Sequence, residues 1–365
     1  MVKPRLIDLG DQMKSTKHIE VVRSNTRGLS SMSQASCAAI VEVLLKHFTN
    51  VGVSVIDDVS DLELLVASKP DLVFLGMEFV PKNLAHGVND PQSIWLSDYL
   101  DESGIAYTGS NQTAHELERN KPLAKQRALQ ANLNTPAYVV IKQDQLINDA
   151  YVKLNYPLFI KPANRGGGLG IDADSIVQTF AQLKFKVNFI INSLASDALI
   201  EEYLPGREFS VAILKEPSSD QYKAMPIELI APLDEHGSRY LSSAVKSENA
   251  EQVLEVSDPL LKSAISTLAL AIFEALGARD YGRIDIRLDS FGTPYFLEAN
   301  LIPSLISGYG SFPKACVLNA AIGYEAMIMR IVNLGLARSK SEETILLEQE
   351  VLSGAYIPAE LAFES

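Results

Sequence analysis

The chain has 365 residues, 47% of them apolar and 21% charged, with 32 basic residues against 45 acidic ones and a formal net charge of −13. That length supports two or three units with sizeable cores, and the apolar content excludes a disordered protein. The acidic balance, with no Lys/Arg-rich run, excludes nucleic acid as the expected partner, because a phosphate backbone calls for a basic face. A polyphosphate can still be held where a few cations and a metal ion converge.

The amino-terminal "MVKPRLIDLGDQMK" lacks the apolar segment of a secretory signal, and the longest apolar stretch, "AISTLALAIFEALGA", is too short to span a bilayer. A cytoplasmic protein with no membrane partner is expected. Cys37 and Cys316 have no metal-ligand spacing and are expected to be buried free thiols.

In chain order, "HIEVVRS" reads as a strand and "SMSQASCAAIVEVLLKHF" as an amphipathic helix with Ser33 as N-cap. "VSVIDD" and "PDLVFLGM" read as further strands, and this βαβ rhythm predicts a small parallel sheet. "YTGSN" (Tyr107 to Asn111) breaks the pattern, and one polar helix, "TAHELERNKPLAKQRALQAN", is expected next. Then come a strand "TPAYVVI", a helix near Asp144, a strand "YPLFIKP", a glycine loop "ANRGGGLG", a helix from about Ser175 to Asn192 and a strand "ALIEEYL". "PGREFSVAIL" opens a third region with a long helix around Pro259 to Leu276. "YGRIDIRLDSFGTPYFLEAN" follows as a hairpin with Ser290, Phe291 and Gly292 in its turn. The tail after Tyr324 is expected to be helical, with no function assigned beyond about residue 335.

The hairpin carries the strongest chemical signal. Side chains alternate along a strand, so Glu298 and Asn300 share a face, as do Arg283, Asp285 and Arg287. Pairing Leu288 with Tyr295 would place Asp285 opposite Glu298. Two carboxylates and an amide oxygen are hard donors suited to Mg²⁺ shared with phosphate oxygens, and the carboxylates would repel one another without a cation. The alternative is a solvated strand face with an ion pair.

Lys161 ends a strand just before glycines at 166, 167, 168 and 170, where backbone N–H groups can approach phosphate closely. A flexible hairpin tip is the alternative, and neither a Rossmann nor a Walker pattern is present. In "ALIEEYLPGREFSV", main-chain groups around Glu202 to Leu204 can read an adenine and Glu208 can take a ribose hydroxyl; taken alone, the segment reads better as a plain strand with a Pro-Gly turn. The five histidines (18, 47, 86, 115 and 236) are scattered and suggest structural or exposed roles rather than zinc. No G-x-S-x-G elbow occurs.

In this order, "RNKPLAK", "FIKPANRGGGLG", "LIEEYLPGREFSV" and "GRIDIRLDSFGTPYFLEAN" resemble the ATP-grasp superfamily, most closely D-alanine–D-alanine ligase, from about Tyr107 to Ile331. The resemblance implies an α/β (α+β) fold of three domains, at 1–116, 117–202 and 203–365, with an N-terminal parallel βαβ domain and ATP between two antiparallel sheets. It implies a carboxylate–amine ligase working through an acyl phosphate, with ATP and two Mg²⁺ ions (Mn²⁺ as a substitute), small-molecule carboxylate and amine substrates, and the homodimer common in the family. Mapped by motif, Lys121, Lys161, Gly167 and Gly168 fall at phosphate positions, and Glu201, Glu202, Tyr203, Leu204 and Glu208 at the hinge and ribose positions. Asp285, Glu298 and Asn300 match the Mg²⁺ ligands and Arg283 the arginine at the reacting centre. Lys246 resembles the lysine of the mobile loop, and Ser311 ends the loop that binds a substrate carboxylate.

The substrate half departs from the family. No acid occurs between Val21 and Val41, where the ligases carry a Glu for the first alanine's ammonium, and their "HG…GEDG" segment is replaced by "LGMEFVPKNLAHGVND". The glycine loop has Arg165, Gly167 and Gly168 in place of Glu and paired Ser; Val245 and Ser247 flank Lys246 without the usual tyrosine. The loop Pro303 to Ser311 is one residue longer than its counterpart. With Arg23, Arg27 or Arg165 gained, the donor is expected to be a carboxylate other than free D-alanine, an acidic or N-blocked one being an example. The competing expectations are a true D-alanine–D-alanine ligase with a divergent N-terminal domain and a non-catalytic ATP-binding module.

Overall fold

The computed structural model describes residues 13–26, 28–148, 152–234 and 237–352, with side chains to residue 339 except that of Ser247; Arg27 and His236 lie outside the described residues. The chain opens with β1 (Ser15–Arg23), α1 (Gln34–His47), β2 (Phe48–Val55), α2 (Val59–Ala67) and β3 (Leu72–Leu75). These strands form the expected parallel sheet, in the order β2-β1-β3. Ser33 caps α1 by accepting the Ser36 N–H. A short antiparallel ribbon, β4 (Phe79–Val80) with β5 (Ile94–Trp95), leads into α3 (Leu96–Glu102).

The single polar helix expected next is two, α4 (Gln112–Arg119) and α5 (Lys121–Gln130). Asn120 is the break: it closes α4 outside helical geometry, and its side chain accepts the Leu123 N–H to start α5, with Pro122 in the first turn.

The central lobe is built from β6 (Tyr138–Ile141), β7 (Leu158–Pro162), β8 (Ile176–Val177), α6 (Phe180–Leu194) and β9 (Ala198–Glu202), in the antiparallel order β6-β9-β7-β8. A turn from Lys142 to Gln145 stands at Asp144, and the part of the expected helix that would cover residues 149–151 lies outside the described residues. The following helix starts at Phe180 rather than near Ser175, because Thr179 and Gln182 form a capping box, while residues 173–177 make a 3₁₀ turn and β8.

The remaining strands, β10 (Glu208–Lys215), β11 (Tyr222–Ile230), β12 (Gln252–Glu255), β13 (Tyr281–Leu288) and β14 (Pro294–Asn300), form a second antiparallel sheet in the order β12-β11-β10-β13-β14. Around it lie α7 (Ser243–Glu248), α8 (Pro259–Ala275), α9 (Ser311–Ala320) and α10 (Tyr324–Leu352).

Strand alternation decides what each face of these sheets does. On β10 and β13, Phe209, Val211, Ile213, Ile284 and Ile286 turn to α8 and make one core with α5. The residues between them, including Ser210, Arg283, Asp285 and Arg287, therefore face the opposite side. On β7 and β9, Leu158, Ile160, Ala198 and Ile200 pack on α6, which turns Phe159, Lys161 and Glu201 the other way. Two apolar sheet backs thus present two polar fronts to one cleft.

Candidate active site

The cleft, open to solvent on one side, spans about 630 Å³ and is lined by Phe159, Lys161, Ile171, Glu201 to Leu204 and Glu208, with Tyr240, Leu241, Lys246, Asp285, Arg287, Leu297 and Glu298. Most of the residues expected at a nucleotide site are therefore together. Gly167 and Gly168 are not part of the lining. Their loop lies across the start of α7: a Cβ on Gly168 would stand 2.8 Å from the Ser243 nitrogen, and the residue's φ is +78°.

The hairpin register differs by one residue from the expected one. Leu288 pairs with Pro294 and Arg287 with Tyr295, yet Asp285 still faces Glu298 and Arg283 faces Asn300. A bulge at Leu297, between Phe296 and Glu298, restores the offset. Asp285 is nearly fully held: Arg283 donates Nε to Oδ1 and Nη2 to Oδ2, both at 2.9 Å, Ser210 donates to Oδ1 at 2.9 Å, and Asn300 Nδ2 reaches Oδ2 at 3.3 Å. Glu298 is different. Among the described residues its one ion-pair partner is Lys121, with Nζ at 3.6 Å. Burial would raise its carboxyl, but Lys121, Lys161, Lys246 and Arg283 outweigh that and hold it down at about 2. An ionised, lightly engaged carboxylate beside an amide oxygen fits a hard divalent cation; Asp285 joins that set only by sharing with Arg283. Ser311, the first residue of α9, accepts a long 3.4 Å contact from Arg283 Nη1.

Around this centre the lysines are arranged in two rows. Lys121 donates to the Arg165 carbonyl, and Lys161 pairs with Glu201 Oε2 at 2.9 Å. Burial would lower Lys161, but Glu201 and Glu298 more than compensate and raise it, so it stays charged. Behind them Lys125, which no motif marked, is fully buried and 2.5 Å from Glu201 Oε1.

At the hinge, the N–H groups of Glu202 and Tyr203 are used by the Ala137 and Pro157 carbonyls. The Leu204 N–H has no partner among the described residues, so the expected adenine contact narrows to that group and to main-chain carbonyls. Glu208 accepts from Arg287 Nη1 at 3.1 Å, and Arg287 Nη2 also donates to the Tyr203 hydroxyl at 3.2 Å. Arg287 was assigned no role from the sequence, although alternation put it on the correct face.

On the substrate side two expectations change. Arg165 does not point to a donor site. It donates to the Leu194 and Ala195 carbonyls at the end of α6, and to Asn89, so it is spent on framework. Arg23 is held by the Ser24 carbonyl and Asn25. In place of cations, the structure brings together Glu78, His115 and Glu118, whose ligand atoms lie within 4.8 Å of one another. Glu118 accepts from His115 Nδ1 at 2.9 Å and from the Leu301 N–H at 2.6 Å, directly after Asn300. The Glu78 carboxylate has no hydrogen-bond partner among the described residues; burial and the neighbouring Glu118 push it up to about 7. His115 and Glu118 are i, i+3 on α4, a spacing visible in the sequence, but Glu78 comes from the link between β3 and β4 and only the fold supplies it.

Residues 128–333 match the family model described as the D-ala D-ala ligase C-terminus. Among curated proteins the chain is 30% identical to the uncharacterized protein y4sG of Sinorhizobium fredii over 268 residues, covering 72% of this chain and 75% of that one. It is 27% identical to the D-alanine–D-alanine ligase of Hydrogenovibrio crunogenus over 321 residues, 85% of this chain and 92% of that enzyme. The crystal structure of D-alanine–D-alanine ligase from Bacillus anthracis complexed with ATP shares the fold, with a TM-score of 0.70 at 21% identity over 90% of this chain and 100% of that one. The matched span holds most of the cleft residues and the whole donor set, and the chain belongs to the D-alanine–D-alanine ligase family as an ATP-grasp carboxylate–amine ligase.

Proposed function

We propose that the enzyme joins a carboxylate other than free D-alanine to an amine, and that the cleft between the two antiparallel sheets holds the ATP. The convergence of Lys121, Lys161, Lys246 and Arg283 on Glu298 carries the ATP half of this reading. Phosphoryl transfer to a carboxylate depends mainly on positioning and charge neutralisation. Lys121 and Lys161 orient phosphates, Lys246 closes from α7, and Arg283 faces the charge that develops at the reacting carboxylate. Glu298 and Asn300, with Asp285 sharing, would hold Mg²⁺, two ions or Mn²⁺ in substitution, which when bound neutralises the phosphate oxygens. The glycine loop lying on Ser243 shields the acyl phosphate from water.

The substrate part of the proposal rests on the β1–α1 loop. It offers no acid of its own, and the carboxylate that reaches it, Asp57, is turned onto Ser24, Asn25 and Thr26 of the loop itself. An ammonium at the family's position would find no counter-charge there.

One observation favours a second reading, D-alanine–D-alanine ligation: the unpartnered Glu78 carboxylate beside Glu118 could replace the missing anchor from another element. Incubating the protein with ATP, Mg²⁺ and pooled amino acids and carboxylates, and measuring phosphate release with new amide masses, separates the two. D-Ala-D-Ala as the main product would sink the first reading. A different amide, with no turnover of D-alanine alone, would sink the second.

A further inference from the structure

We propose that Lys125 is a positioning residue for nucleotide binding: it neutralises Glu201 from behind the cleft, so that the ammonium of Lys161 remains free to attract phosphate. This rests on the ligase reading above. Lys125 lies one helical turn after Lys121 on α5 and does not line the cleft, whereas Glu201 and Lys161 do. Its ammonium is fully buried and has three partners. Thr135 Oγ accepts at 2.8 Å, the Phe296 carbonyl lies at 3.4 Å, and Glu201 Oε1 is 2.5 Å away.

Glu201 is also enclosed, and its other oxygen is 2.9 Å from Lys161. One carboxylate thus serves two ammonium groups from opposite sides. A buried charge is tolerated only when paired, and with Lys125 absent the whole of Glu201's charge would fall on Lys161. Lys161 would then be neutralised and drawn toward the floor of the cleft, where a nucleotide phosphate competes with Glu201 for it. Burial pushes Lys125 down to about 8 even with Glu201 beside it, while Lys161, facing Glu201 and Glu298, is raised. A purely structural tie between α5, β9 and β14 would not require the charge to be shared with a cleft lysine.

The test is MgATP affinity, measured by calorimetry on full-length wild type, Lys125→Met, Glu201→Gln and the double variant, with thermal unfolding followed in parallel. Lys125→Met is expected to weaken MgATP binding roughly tenfold. Adding Glu201→Gln to it should restore most of that loss, because the orphaned carboxylate is then gone. If folded Lys125→Met binds as wild type does, or if the double variant binds no better than Lys125→Met, the inference is overturned. Should Lys125→Met not fold, Thr135→Val, which removes one ligand of the ammonium and keeps both charges, should weaken binding in the same direction; unchanged affinity there overturns the inference too. Wild type that binds no MgATP would overturn the ligase reading as well, which distinguishes the two failures.

Discussion

Arg283 grips Asp285 with two parallel hydrogen bonds at 2.9 Å, although the two residues lie only two positions apart on one strand. The pair divides the work of the donor set. Asp285 aims the guanidinium, and Glu298 is left as the carboxylate with free capacity for a cation. Glu298→Ala is therefore expected to abolish turnover and to remove the dependence of nucleotide binding on Mg²⁺, measured by calorimetry with and without the ion. Retained turnover would show the metal assignment to be wrong. Asp285→Asn should spare more of the Mg²⁺ dependence while lowering turnover at least tenfold, the cost of losing a charged bidentate partner of roughly 1.5–3 kcal/mol.

The glycine loop offers a comparison in which backbone strain cancels. Gly167 and Gly168 have φ of +67° and +78°, so alanine is strained at both, but only at Gly168 would the new Cβ meet another segment, at 2.8 Å from Ser243 N. Gly168→Ala should therefore release nucleotide several-fold faster than Gly167→Ala, read by stopped-flow displacement. Equal rates would mean that the loop's seat on α7 does not retain the ligand.

Glu78 sets a pH dependence of stability. Its folded pKa of about 7 lies above the ordinary value of 4.5, so between these the folded state binds more protons than the unfolded one. Its contribution is accordingly least unfavourable below about pH 4.5, worsens as pH rises from there to about 7 and then levels off, a loss of roughly 3 kcal/mol at most. Glu78→Gln should melt several degrees higher than wild type at pH 8, with the gap closing toward pH 5. A gap independent of pH would show that Glu78 is not strained by its neighbours.

Cys37 and Cys316 are both buried and free, and burial pushes Cys316 up to about 12 and Cys37 upward as well. Neither should react with an exposed-thiol reagent until the protein unfolds; rapid native labelling would contradict their placement.

Much of the donor set could be read from the sequence because strand alternation is a local rule. Arg283 and Asp285 share one face of their strand and Glu298 and Asn300 one face of theirs by alternation alone, and the bulge at Leu297 brings the two pairs together although Leu288 pairs one residue away from its expected partner. What could not be read is what reaches across the fold. Arg165 sits in a glycine loop that suggests a ligand, yet its guanidinium is claimed by carbonyls at the end of α6, thirty residues away. Lys125 sits four residues after Lys121 in a polar helix, and nothing in that spacing tells that Glu201 is its partner. Glu78 and His115 meet only because the β3–β4 link and α4 are neighbours in space. The helix break at Asn120 was foreshadowed by Pro122, a local signal that the polar pattern on either side concealed.

α10 returns from the C-terminal sheet to lie on α1 and β3, where Met327, Ile328, Ile331 and Val332 share one core with Ile19, Val21, Leu72 and Phe74 of the parallel sheet and Met225 and Ile227 of β11. At Gly335 the approach is so close that a Cβ would stand 2.6 Å from Leu72. The parallel sheet and α10 are thus clasped into one body with the C-terminal sheet, while among the described residues the core under α6 draws on residues 139–200. That packing predicts that the central lobe is the part free to move, so hydrogen exchange should respond to nucleotide along β6, β7 and β9 far more than along β1 and β3. Cutting the chain at residue 116 would strip the parallel sheet of its cover rather than free a module.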